Sequence, residues 1–143
     1  MECGDLTAAV GVWFYAMDTA RYLYLLRKDA KNPNTWGLPG GKVIPGESLL
    51  AAITRECQEE LGRMPDYDRL IPIEKFTSTD ERFEFHTFFC ALDREFQPVL
   101  NDEHRGYAWI DHDTWPRPMH PGLWNTVNFQ EIVHKIAVIR QQF

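Results

Sequence analysis

Cysteine is scarce in this chain, with three in 143 residues, at positions 3, 57 and 90. They form no CxxC pair of the kind that holds zinc and no dense disulfide framework. Cys3, Cys57 and Cys90 are therefore expected as buried free thiols. Excess positive charge is lacking as well. Fifteen Lys and Arg stand against 21 Asp and Glu, a net charge of -6. That balance argues against non-specific nucleic-acid binding, which depends on cations neutralising phosphates. It leaves room for a phosphorylated small molecule, because a divalent ion reverses the sign of a site locally. No apolar run is long enough for a spanning helix. The opening MECGDLTAAVGVWFY has acidic residues ahead of its apolar run, where a secretory leader has basic ones. A cytoplasmic setting without a membrane partner is the expectation. Internal repeats, low-complexity tracts and interdomain linkers are also missing, which points to a single domain over residues 1–143.

A composition of 44% hydrophobic and 13% aromatic residues is enough for a real core. Residues 6–15 (LTAAVGVWFY) form an apolar run without helical period, and residues 21–28 (RYLYLLRK) follow after a short polar turn. The two read as antiparallel strands. DAKNPNTWGLPGG is turn chemistry throughout. A helix is expected from Ser48 to about Leu61, with Leu49, Ile53 and Cys57 on one face, Leu50 and Leu61 flanking, and Gly62 as its stop. IPIEKFTST, RFEFHTFFCAL and HRGYAWID read as strands. Phe83, Phe85, Thr87 and Phe89 share one face of the second, and its phenylalanines are expected in the core. Residues 126–140 read as one amphipathic helix burying Phe129, Ile132, Val133, Ile136 and Ile139. Strands in hairpin-like succession with two helices predict an α+β fold, a mixed sheet with helices packed on it.

The helix from Ser48 carries Glu56, Glu59 and Glu60 behind Arg55. Like charges at i, i+4 destabilise a helix, so a cation is expected beside them. Spacings of three and four put the three carboxylates on one face. Oxygen donors of this kind suit Mg²⁺, with Mn²⁺ able to substitute, better than zinc. Arg55 is placed to hold a neighbouring carboxylate in one rotamer, and Glu47, two helical turns back, is its expected partner. The bland alternative for any acidic pair on a helix is a solvated face.

The full string is more demanding than an acidic pair. Gly41, Glu47, Arg55, Glu56, Glu59, Glu60 and Gly62 fit G-x5-E-x7-R-E-U-x-E-E-x-G-U at every fixed position, with Cys57 and Arg63 at the two softer aliphatic places. The chain thereby resembles the Nudix hydrolase family, and WGLPGG before the string and DEHRGYAWI after it are similar to family sequences. The resemblance implies a mixed sheet sandwiched between helices (α/β/α) with a catalytic loop-helix-loop. It implies metal-dependent hydrolysis of a phosphoanhydride in a nucleoside diphosphate derivative, with a small nucleotide as partner. It also implies metal binding by Glu56, Glu59 and Glu60 and by the carbonyl of Gly40. In the family the general base is either a glutamate of the string or an acid from a later loop. Here LNDEHRGYAW supplies Glu103 as base and further metal ligand, with Asp102 as fallback. Arg27 and Trp36, with Glu47, are candidate substrate-side residues, Trp36 having simple packing as its alternative.

The substrate is read by elimination. FTSTDERF has neither the proline of the family's ADP-ribose hydrolases nor the tyrosine of its diadenosine polyphosphate hydrolases. A nucleoside triphosphate, as in MutT-like members, is expected. A nucleotide sugar is the alternative, and a non-catalytic nucleotide-binding module comes after it. A homodimer is compatible with all three.

Overall fold

The computed structural model describes residues 6–28, 30–112 and 114–142. Cys3 lies outside the described residues. Among the described residues, seven strands and three helices follow one another: β1 (Thr7–Ala16), β2 (Arg21–Arg27), β3 (Trp36–Gly37), β4 (Gly40–Lys42), α1 (Leu49–Leu61), β5 (Arg69–Thr77), β6 (Phe83–Leu92), β7 (His104–Asp111), α2 (Pro121–Val127) and α3 (Gln130–Arg140).

β1 is the axis of the sheet. It pairs in parallel with β6 along its whole length, from Thr7 opposite Phe83 to Ala16 opposite Leu92. Its other edge pairs antiparallel with β4 at one end and with β2 at the other. β2 in turn carries β3 and β7, and β5 closes the far side against β6. The mixed sheet is thus present. A strand apolar on both faces is what a central position requires, and Val10 to Ala16, apart from Gly11, are hydrophobic and buried.

Two hydrophobic clusters explain that pattern. On one face Val10, Val12, Phe14, Leu23 and Leu25 pack against Ala52, Ile53, Cys57 and Leu61 of α1. On the other, Trp13, Tyr15, Tyr22, Tyr24 and Phe89 pack against Leu123 and Val127 of α2 and Ile132 and Ile136 of α3. The sheet is therefore sandwiched between helices. Cys57 and Cys90 are buried free thiols, as expected.

α1 runs where the sequence places it. Ser48 Oγ accepts from the Ala51 N–H at 3.0 Å, a side-chain N-cap. Gly62 ends the helix at φ 88°, a left-handed conformation that favours glycine.

The C-terminal region departs from the sequence reading. A separate helix, α2, begins at Pro121 behind a His120 cap, and the chain breaks at Asn128–Phe129 before α3. Phe129 becomes the extended N-cap residue and is 52% exposed, and Val133 is 41% exposed, so neither belongs to the buried stripe. The stripe is Ile132 and Ile136, with Ile139 half-buried. Phe83 and Phe85 also differ from expectation. They are half-buried, with ring centroids 6.4 Å apart, whereas Phe89 is fully buried against α2 and α3. Among the described residues no helix is long and apolar enough to cross a membrane.

Ile53 and Leu50 test this packing. Ile53 is fully buried between α1 and the sheet, and Leu50 is 51% exposed. Ile53→Ala is expected to cost about 2–5 kcal/mol in urea unfolding, and Leu50→Ala less than about 0.5 kcal/mol.

Candidate functional site

The site begins with β4. Gly40 pairs with Gly11 and Gly41 with Val10, so the two glycines lie flat against the central strand. Gly40 adopts φ 149°, and a Cβ there would strike the Val10 carbonyl. Strand alternation directs the Gly41 position toward α1, where a Cβ would come within 2.6 Å of the Glu56 carboxylate. These two positions let the helix carboxylates approach the sheet backbone.

Arg55 organises the carboxylates. Its Nε donates to Glu47 Oε2 at 2.9 Å and its Nη2 to Glu47 Oε1 at 3.0 Å, a bidentate pair. Nη2 also donates to the Lys42 carbonyl at 2.9 Å, and Nη1 donates to Glu56 Oε1 at 2.8 Å. Glu59 Oε1 lies 3.6 Å from Nη1. The expected Glu47 partnership is thus present. Glu47 further accepts from the Ile44 N–H at 2.9 Å. The Arg55 bonds and then that N–H hold its carboxyl below the usual range, and the bonds to Glu47 and then Glu56 raise the arginine.

The three glutamates of α1 are not equivalent. Glu56 and Glu60 are buried, whereas the Glu59 side chain is half-exposed at the rim. Glu60 Oε1 accepts from the Gly40 N–H at 2.9 Å. Burial pushes the Glu60 carboxyl well above its ordinary range. The Gly40 bond opposes that shift, and the carboxylates of Glu56 and Glu103 reinforce it. A buried acid beside two further acids is costly unless a cation compensates it.

Glu103 stands at the turn before β7. Its backbone N–H donates to Asn101 Oδ1 at 3.1 Å, and Asn101 Nδ2 donates to Glu103 Oε2 at 3.2 Å. Its carbonyl accepts from the Lys28 N–H at 3.0 Å. Asp102, in the same turn, is exposed. Arg27 ends β2, opposite His104 across a register shift, with its chain over Gly37. Trp36 is half-buried against the α2–α3 cluster, its N–H donating to the Pro118 carbonyl and its carbonyl accepting from His120, both at 2.8 Å. That is the packing alternative for Trp36. Sequence reasoning missed Asn101 and the Lys42 carbonyl. A backbone carbonyl carries no side-chain signal, and one asparagine in a polar loop has no distinguishing spacing.

A divalent ion fits these donors. Buried Glu60 meets the Gly40 N–H and buried Glu56 meets Arg55, and hard oxygen donors match Mg²⁺ or Mn²⁺. Among the described residues no three acidic, His or Cys side chains converge into a ready-made cage. Mg²⁺ commonly uses one or two carboxylates together with substrate phosphates and water, so a partial set suffices.

The raised Glu60 carboxyl has a pH signature in metal-free protein. Above about pH 4 the unfolded chain releases this proton while the folded protein retains it, so folding loses stability as pH rises. In the presence of chelator, Glu60→Gln is expected to raise the melting temperature at pH 8, with the gain vanishing near pH 4. Calorimetry across that range checks both ends.

Comparison with known proteins agrees with this geometry. The family model described as the NUDIX domain matches residues 5–128. The nucleoside triphosphatase NudI of Salmonella arizonae is 35% identical over 101 residues, covering 61% of this chain and 72% of that protein. A MutT NUDIX hydrolase from Burkholderia pseudomallei superposes with a TM-score of 0.63 at 27% identity, covering 80% of this chain and 92% of that one. A MutT structure from work on Aliivibrio salmonicida and Vibrio cholerae matches in fold, with a TM-score of 0.72 at 22% identity over 91% of this chain and 99% of that one. With the glycine pair, the arginine clamp and the buried glutamates in place on this fold, the chain belongs to the Nudix family of hydrolases.

Proposed function

We propose that residues 1–143 form one domain that hydrolyses a phosphoanhydride bond of a nucleoside triphosphate with the help of Mg²⁺ or Mn²⁺. The observation that carries this reading is the buried Glu60 carboxyl beside Glu56 and Glu103, an acidic cluster that calls for a cation. Glu56, Glu60 and the Gly40 carbonyl are the ligands, with Glu59 at the rim and Glu103 approaching from its turn. An ion bound there supplies charge neutralisation for the diphosphate and lowers the pKa of a bound water.

The chain's own groups do the positioning. Arg55 fixes the Glu56 rotamer and, through Glu47, ties the loop after β4 to α1. The Gly40 N–H orients Glu60. Glu103 is the general base: Asn101 holds Oε2, which leaves Oε1 to take the proton of the attacking water. Arg27 contacts a terminal phosphate. Glu47 contributes indirectly, by aligning Arg55. Trp36 borders the substrate while its ring packs on the core. The relatives support the substrate class, since NudI is named a nucleoside triphosphatase and phosphoryl transfer demands positioning and charge neutralisation more than covalent chemistry.

A panel of nucleoside triphosphates and nucleotide sugars with Mg²⁺, with products identified by mass, tests this. Cleavage of triphosphates to smaller nucleotides is the expected result, and turnover confined to nucleotide sugars contradicts it. In the same assay Glu103→Gln should lower kcat by about 10²–10⁴-fold, the usual contribution of a positioned base. KM and folding should change little. Wild-type rates in this variant at every Mg²⁺ concentration would remove Glu103 from the chemistry.

A further inference from the structure

The loop that carries Glu103, residues 93–103, joins β6 to β7 and contains no helix or strand. At eleven residues it is longer than the usual connection of about 4–6, yet it is fastened along its course. Near its start, Arg21 pairs with Glu95 at 2.6 and 2.9 Å. Phe96 packs edge-on against Phe14 and Trp109, with centroids 6.1 and 5.7 Å away. Trp109 Nε1 donates to the Phe96 carbonyl at 3.1 Å. At mid-loop the Val99 N–H donates to the Leu61 carbonyl at 2.9 Å, satisfying a carbonyl at the last turn of α1. A Cβ on Gly62 would lie 2.9 Å from Val99 Cβ. Next in the chain, Arg63 places its Cζ 5.8 Å from the Phe96 ring centroid, within cation–π range.

Leu61, Gly62 and Arg63 thus grip the loop from the C-terminal end of the helix that bears Glu56 and Glu60. Arg63 stands where the family string has a bulky aliphatic residue. An aliphatic side chain packs, whereas an arginine can also cover an aromatic face.

We propose that Arg63, through its contact with Phe96, is a positioning residue that sets the distance between Glu103 and the glutamates of α1. The inference rests on the proposed function, because Glu103 must be the base for its placement to affect rate. Arg63 is exposed, so its truncation leaves the fold intact. The loop then gains freedom relative to α1, and Glu103 samples positions away from the attacking water. Arg63→Lys retains a cation for the ring and restores part of the effect. Trp109→Phe keeps an aromatic ring but removes the bond to the Phe96 carbonyl, and it loosens the same segment from the other side.

Two readouts on the full chain test this, one independent of activity. Hydrogen exchange of the Val99 amide should accelerate in Arg63→Ala and in Trp109→Phe. Unchanged exchange in both variants overturns the clamp. In nucleotide hydrolysis with Mg²⁺, Arg63→Ala should lower kcat by about 10-fold, within the ~10²-fold that a 1 Å misplacement can cost, with KM and the Mn²⁺-induced thermal shift unchanged. The decisive comparison is with Glu103→Gln. If Arg63 acts through Glu103, Arg63→Ala causes no further loss in that background. Multiplicative losses instead show a merely structural effect and overturn the positioning role while leaving the proposed function standing. A wild-type protein that cleaves no nucleotide overturns both together, whatever the exchange rates show.

Discussion

Arg55 and the carboxylates around it form the junction on which the rest of the site depends. One guanidinium meets Glu47 bidentately, the Lys42 carbonyl and Glu56. Those partners come from the loop after β4, from β4 itself and from α1, so one planar group fixes three segments. A lysine has a single charged nitrogen and cannot reproduce that fork. Holding Glu56 against the Gly41 backbone in turn requires the bare Cα at position 41, and Gly41 is kept in place by its pairing with Val10 of the central strand. The chain of dependence thus runs from the apolar pattern of β1 to the orientation of a carboxylate.

Arg55 does not solve the whole electrostatic problem. Glu60 is more deeply buried than Glu56 and accepts a hydrogen bond from the Gly40 N–H. Burial and the neighbouring acids raise its carboxyl, so the resting site favours a proton or a cation. Such a cluster is destabilising in isolation and useful where substrate brings a metal ion with it. The fold tolerates the cost because α1 is otherwise firmly anchored, with Ala52, Ile53, Cys57 and Leu61 buried against the sheet.

The sequence made this half of the molecule legible because its constraints are local. Spacings of three and four along one helix determine which glutamates gather, and Ser48 and Gly62 mark the ends through backbone chemistry. The pairing of Arg55 with Glu47 is likewise set by loop length and helical pitch. Other features depend on contacts distant in sequence. The order of strands around β1 and the two short strands β3 and β4 follow from pairing partners, and their two or three residues carry no period. The spacing misleads at Phe129 and Val133: the two keep the i, i+4 relation of one helix face, but the break at Asn128 makes Phe129 the cap residue and both are exposed. Pro121 as a helix start, and which end of the Phe83–Phe89 face α2 and α3 cover, are decided by packing. Within α1 the spacing grouped Glu59 with Glu56 and Glu60, but the sheet lies beneath the latter two and leaves Glu59 at the rim.

The central claim is that the acidic cluster of α1 is a divalent-cation site. It is tested most directly by thermal unfolding over a titration of Mg²⁺ or Mn²⁺, in wild type and in Glu56→Gln/Glu60→Gln. A ligand that binds only the folded state at 100 times its Kd adds about 2.7 kcal/mol. The wild-type melting temperature should therefore climb with metal while that of the double variant stays flat. An equal rise in both proteins would place the ion elsewhere and contradict the account.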